Sequence, residues 1–251
     1  MTWIESATGL APLPFIAAAL MTFAAAAIRG LTGFGMAIVL VPLLGMVMRP
    51  DRAVVLAIVL QLLIGPVGLG SVIADSHRPS ALRIATAAVI ATPLGIWLLA
   101  LTPPDLARVL IAGVALGAFA LLIAGRNAVA IPGNGVAVTA GLVAGILTGF
   151  AGMPGPPVVP FYLREAFSPQ IARASMLLVF FATAIAGTAS AWLLGLLPMR
   201  LFWLGLLLFV PMAIGNALGT RAFGSISPPV WRGAVGALLG IAGVAAVWRA
   251  F

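Results

Sequence analysis

Arg29-Gly30-Leu31-Thr32-Gly33-Phe34-Gly35 and Leu147-Thr148-Gly149-Phe150-Ala151-Gly152-Met153-Pro154-Gly155 render one phrase twice, 116 positions apart (31 to 147) in a chain of 251 residues. Other landmarks return in the same order. Pro42 answers Pro160 and Pro93 answers Pro211, each at an offset of 118 (42 to 160, 93 to 211), and Pro103-Pro104 returns as Pro228-Pro229 at an offset of 125 (103 to 228). The slow drift reflects a few inserted residues within a preserved order, which is the signature of an internal duplication.

The phrase sits in an unusual solvent. Hydrophobic residues make up 63% of the chain and charged residues 7%, too little polarity to cover a water-facing surface, so lipid must surround most of it. Apolar segments fall at about 12–28, 31–48, 53–74, 81–101 and 105–124, then again at 134–150, 152–163, 171–197, 201–223 and 229–248. No period-two alternation supports a barrel, and helices alone then satisfy the backbone in lipid. The expectation is an all-α, polytopic membrane protein forming a single transmembrane domain over 1–251, with a first repeat at 12–124 and a second at 134–248. Five segments per half is an odd number, so the second copy is expected upside down relative to the first, an inverted-topology repeat.

Each repeat opens on a candidate re-entrant helical hairpin. Ala151 to Leu163 is 13 residues, roughly 20 Å of helix against a hydrocarbon core of about 30 Å. It also carries Pro154, Pro156, Pro157 and Pro160, and proline removes amide donors and clashes with the preceding turn. Interrupted backbone at membrane depth is tolerated where it is buried in protein or lines a cavity, so these turns are the first place to seek a site.

Charge narrows the function. All 13 basic residues are arginine against five acidic ones, spread one or two per loop, which suits orientation in a membrane and not a nucleic-acid face. If every segment changes side, Arg78, Arg83, Arg126, Arg164, Arg173, Arg221 and Arg232 share one face, and Arg49, Arg52, Arg108, Arg200 and Arg249 the other. The first face is then expected to be cytoplasmic, with both termini periplasmic. The chain has no cysteine, so thiol chemistry and cysteine-ligated metals are excluded. The first ten residues carry Glu5 and no basic residue, against a cleaved signal peptide. Glu5, Asp51, Asp75, Asp105 and Glu165 all fall at span ends, leaving no proton relay within the membrane and no acid–base pair or metal cluster for an enzyme. No cofactor is called for.

The glycine turns offer free amides and the positive ends of short helices, which attract anions, while glycine lets a ligand approach the backbone. Thr32, Gly33, Phe34, Gly35, Thr148, Gly149, Phe150 and Gly152 are the expected central site. For Gly141 and Gly145, at four-residue spacing, helix packing is the reading. Arg29 interrupts an apolar run and has two readings, a counter-charge for the anion or a side chain snorkelling to water. Gln61 and Asn216 are expected to make interhelical hydrogen bonds, with ligand contact as a second role. His77 reads as a solvated loop residue.

With its duplicated glycine phrase leading to Pro42 and Pro160, its Pro93-Leu94-Gly95 and the echo at Pro211 and Gly215, the chain resembles the sulfite exporter TauE/SafE family of bacterial membrane transporters. The likeness covers nearly the whole chain and departs from the usual glycines at Met153 and Pro154. It implies export or exchange of a small sulfur-containing or organic anion, such as sulfite, a sulfonate or sulfoacetate, across the inner membrane. A passive anion channel is the alternative, and an intramembrane enzyme a more distant one. The partners implied are a small anionic substrate and the lipid bilayer, with a homo-oligomer allowed. Expulsion of a negative charge needs no built-in relay, since an inside-negative potential favours it by about 2.3 kcal/mol per 100 mV.

Overall fold

Proline punctuates the chain where helices begin. Pro12, Pro50, Pro79 and Pro169 each occupy the first or second helical position, where the missing amide hydrogen has no intrahelical partner to lose. The computed structural model describes residues 5, 8–123, 134–164 and 167–222, and among them it contains helices and no strands. They are α1 (Pro12–Thr32), α2 (Met36–Leu44), α3 (Pro50–Ile64), α4 (Leu69–Asp75), α5 (Arg78–Leu101), α6 (Pro104–Ile123), α7 (Asn134–Ala151), α8 (Gly155–Arg164), α9 (Pro169–Leu193) and α10 (Met199–Arg221). The expected segment at 229–248 lies outside the described residues.

Five of these helices, α1, α5, α7, α9 and α10, are long and apolar enough to cross a bilayer. The single segment expected at 53–74 is instead two helices, α3 and α4, bent by 84° across residues 65–68. The cause is local: Pro66 lacks an amide hydrogen and Gly68 adopts a left-handed φ of 73°. Both prolines of each repeated pair lie inside corresponding helices, Pro42 in α2 and Pro160 in α8, Pro93 in α5 and Pro211 in α10.

Every residue of α2 is buried, as is the run Ala53–Gln61 of α3. A helix apolar on all sides belongs in the centre of a bundle. The other spans turn large apolar side chains outward, among them Leu13, Ile90, Trp97, Trp192, Trp203 and Val210, an exposure that suits a lipid solvent.

Two close pairings tie the halves together. Counting the bent pair α3–α4 as one segment, the first segment of the first half, α1, packs on the fourth of the second half, α10, and the first of the second half, α7, packs on the fourth of the first, α5. In the first pair Phe23 meets Gly215 and Ala27 meets Gly219, so the helices run parallel. In the second, Ile84, Ala88 and Thr92 meet Gly141, Gly145 and Gly149 in turn, again parallel. A Cβ at Gly145, Gly149, Gly215 or Gly219 would run into partner backbone, so glycine sets the helix separation. Along α9, Arg173 meets Thr220 and Gly187 meets Ile58, which neighbours the α10 contact Val59–Gly205. Thus α1 and α10 advance toward the N-terminal end of α9, while α5 and α7 advance toward its C-terminal end, as the contacts His77–Ser175 and Thr92–Gly187 show.

Candidate transport site at two helix turns

The α1–α2 turn is made by two glycines in the left-handed region, Gly33 at φ 81° and Gly35 at φ 86°, and the α7–α8 turn by Gly152 at φ 71°. Such angles strain any residue with a Cβ. The Gly33 amide closes α1 by donating to the Arg29 carbonyl at 2.7 Å, and the Gly152 amide closes α7 by donating to the Thr148 carbonyl at 2.8 Å. Thr32 stiffens the first turn: its hydroxyl lies 2.8 Å from the Ile28 carbonyl and 2.7 Å from that of Phe34, and accepts the Phe34 amide at 3.2 Å. Thr148 is buried and donates to the Ala144 carbonyl of its own helix at 2.7 Å.

The two turns meet around a small cavity of about 20 Å³. Arg29, Phe34, Gly35 and Met36 line it from the first turn, Met153, Pro154 and Gly155 from the second, and Gln61 and Phe180 from α3 and α9. That volume holds about one water molecule. Gln61 fastens the second turn to α3, because its amide nitrogen donates to the Gly152 carbonyl at 3.0 Å and to the Ala57 carbonyl at 3.2 Å. Its two amide hydrogens are thereby engaged, which fixes the orientation of the side chain.

Arg29 is half-buried and donates to the Asn216 side-chain oxygen at 2.8 Å, a neutral partner on α10. It lines a second, larger cavity of about 530 Å³ as well. This one opens beside the α3–α4 bend, between the first turns of α9 and the last turns of α10, and its exposed rim carries Asp75, Gln170 and Arg221. Arg173 reaches into it from α9. Its guanidinium donates to the Gly30 carbonyl at 2.9 Å and faces the Thr220 hydroxyl at 3.4 Å, while the aliphatic stem lies over Gly33.

Of the residues expected at the site, Arg29, Phe34, Gly35 and Gln61 line the small cavity, and Asn216 holds Arg29 from the larger one. Gly33 and Gly152 shape the two turns behind it. Thr148, Gly149 and Phe150 stand away from it: Gly149 packs on α5, and Phe150 packs against the main apolar core. Arg173 escaped the sequence reading, although an arginine a few residues inside a long apolar segment is a visible signal. Met153 and Pro154 belong to the repeated phrase itself, whereas Phe180, one apolar residue in a long apolar segment, carried no distinguishing signal. His77 is half-buried: its ring bonds Ser80 at 2.8 Å, Ser80 bonds Tyr162 at 3.1 Å, and its amide donates to Ser175 at 2.9 Å, joining α5, α8 and α9. Among the described residues no group of three His, Cys, Asp or Glu side chains gathers as a metal site would require.

A multi-pass helical bundle whose interrupted helices meet at a cavity lined by Arg29 and Gln61 has the build of a membrane transporter. The chain belongs to the sulfite exporter TauE/SafE family, whose family model matches residues 18–246. Comparison with curated proteins and with solved structures returned no match.

Proposed function

We propose that the protein is a secondary transporter that exports a small sulfur-containing or organic anion, of the sulfite, sulfonate or sulfoacetate type, across the bacterial inner membrane. The anion binds between the two glycine turns, with Arg29 as its counter-charge, Gln61 and Asn216 placing the second turn and Arg29, with Thr32, Gly33, Phe34, Gly35 and Gly152 forming the paired turns, and with Thr148, Gly149 and Phe150 making the last turn of α7 that carries the second. One observation carries this reading: Arg29 lines both cavities and, among the described residues, has Asn216, not a carboxylate, as its hydrogen-bond partner. A guanidinium at membrane depth is costly, and a passing anion supplies the missing charge.

The halves are read as an inverted-topology repeat. Support comes from α1 and α7 advancing toward opposite ends of α9, and from pairings that exchange when the halves are exchanged. The larger cavity is lined by Arg173 and Arg221, which belong to the face read as cytoplasmic, and on that reading both termini lie in the periplasm. In this arrangement the anion enters from the cytoplasm. The small cavity is too tight for it, so the turns must part for each passage, as alternating access requires.

The test is flux of labelled sulfite, methanesulfonate and sulfoacetate into liposomes holding the purified protein. Saturable flux abolished by Arg29→Met supports the reading. Flux that stays linear with concentration would identify a channel, and no flux of any of the three would remove the anion.

A further inference from the structure

We infer that the larger cavity is itself an anion-binding site, an outer station at which Arg173 and Arg221 hold the substrate before Arg29 receives it. The inference rests on the transport reading and adds to it a second site and a size class. Among the described residues, three arginines line this cavity, Arg29, Arg173 and Arg221, against one carboxylate, Asp75. Low-dielectric walls focus such a field and raise the local concentration of small anions.

The placement of the three cations makes a path. Arg221 is exposed at the rim, Arg173 stands half-buried below it, and Arg29 lies where the two cavities adjoin. Arg173 is held in place from behind by the Gly30 carbonyl, so its charge is fixed at the cavity wall. Thr220 and Gln170 add neutral hydrogen-bonding groups beside it. The volumes differ sharply, about 530 Å³ outside against about 20 Å³ inside. The outer volume falls in the range of ordinary small-molecule pockets, so this station takes organic sulfonates and carboxylates of several heavy atoms. Selection by size then falls at the inner turns.

Methanesulfonate flux into vesicles of zwitterionic lipid tests this, using Arg221→Gln, Arg173→Lys and Asp75→Asn. Arg221→Gln should raise KM roughly three- to tenfold at low ionic strength with kcat unchanged, and the effect should shrink in high salt. Asp75→Asn should move KM the opposite way, a sign that a merely structural loss would not produce. Arg173→Lys keeps the charge but loses the fork that the Gly30 carbonyl holds, so KM should rise, by less than in Arg221→Gln. The same order should appear in the stabilisation of the purified protein by methanesulfonate. Wild-type flux with KM unmoved by both Arg221→Gln and Asp75→Asn would overturn the outer site and leave the transport reading standing. Stabilisation in the expected order without flux would do the reverse. A protein that neither moves methanesulfonate nor is stabilised by it overturns both, and a KM effect seen only with anionic lipid would assign the arginines to a lipid headgroup and overturn the outer site.

Discussion

Replacing Gln61 by leucine removes the hydrogen bond that fastens the second glycine turn to α3. The Ala57 carbonyl keeps its ordinary helical partner, but the Gly152 carbonyl loses the 3.0 Å contact from the Gln61 amide. A buried carbonyl deprived of its donor costs about 1–3 kcal/mol, and membrane hydrogen bonds measured by double-mutant cycles sit at the low end of such values, so about 1–2 kcal/mol is expected. That is a factor of roughly five to thirty in the equilibrium between the docked and loosened turn. Gln61→Leu should therefore lower maximal anion flux in proteoliposomes by about tenfold and the thermal midpoint by a few degrees. Gln61→Glu keeps the shape and adds a carboxylate to a cavity shared with Arg29. It should reduce flux further than Gln61→Leu, because the new charge competes with the anion for the guanidinium. Wild-type flux and midpoint in Gln61→Leu would refute the fastening, and wild-type flux in Gln61→Glu would refute the cavity as the anion's place.

The same geometry sets three further expectations. Arg29→Met should abolish saturable flux, and Arg29→Lys should recover only part of it, since an ammonium is a more strongly hydrated point charge without the planar fork that meets Asn216; flux in Arg29→Met equal to the parent would remove the counter-charge. Gly145→Leu should destabilise the protein by about 1–3 kcal/mol or more, because the added side chain meets Ala88 backbone where α5 and α7 touch; an unchanged thermal midpoint would contradict the close packing. Thr148→Ala should leave flux within about twofold, since that hydroxyl is buried and bonds within its own helix, whereas Thr32→Ala frees the Phe34 amide and should cost about 1 kcal/mol and slow flux; equal effects of the two would contradict the difference in their bonding.

Much of the architecture was legible because its causes are local. Apolar run length marks spans, proline marks helix starts and interruptions, and the repeated glycine-rich phrase marks two turns that need left-handed backbone at Gly33 and Gly152. Gly141 and Gly145 read as packing residues from spacing alone, and they meet Ile84 and Ala88. What escaped depends on contacts between distant segments. The bend at 65–68 was written as Gly65-Pro66, yet a long apolar run concealed it. Thr32 and Thr148 looked alike in sequence, and both hydroxyls bond the carbonyl four residues back, but Thr32 also takes up the Phe34 amide because the chain turns there, which composition does not reveal. His77 sat among loop residues, and only the approach of α8 and α9 half-buries it beside Ser175 and the Ser80–Tyr162 pair. Arg173 was read only as one of seven arginines on one membrane face, and its approach to Gly30 needed the third dimension.

The central claim is that both glycine turns contribute to one anion site. The chain has no native cysteine, so Phe34→Cys and Pro154→Cys each introduce a single thiol on opposite walls of the small cavity. The deciding measurement is the rate at which a small thiol reagent modifies each one in proteoliposomes as methanesulfonate is raised. The account expects both to be protected, with the same half-saturating concentration. Protection of one thiol and not the other, or of neither while flux persists, would contradict it.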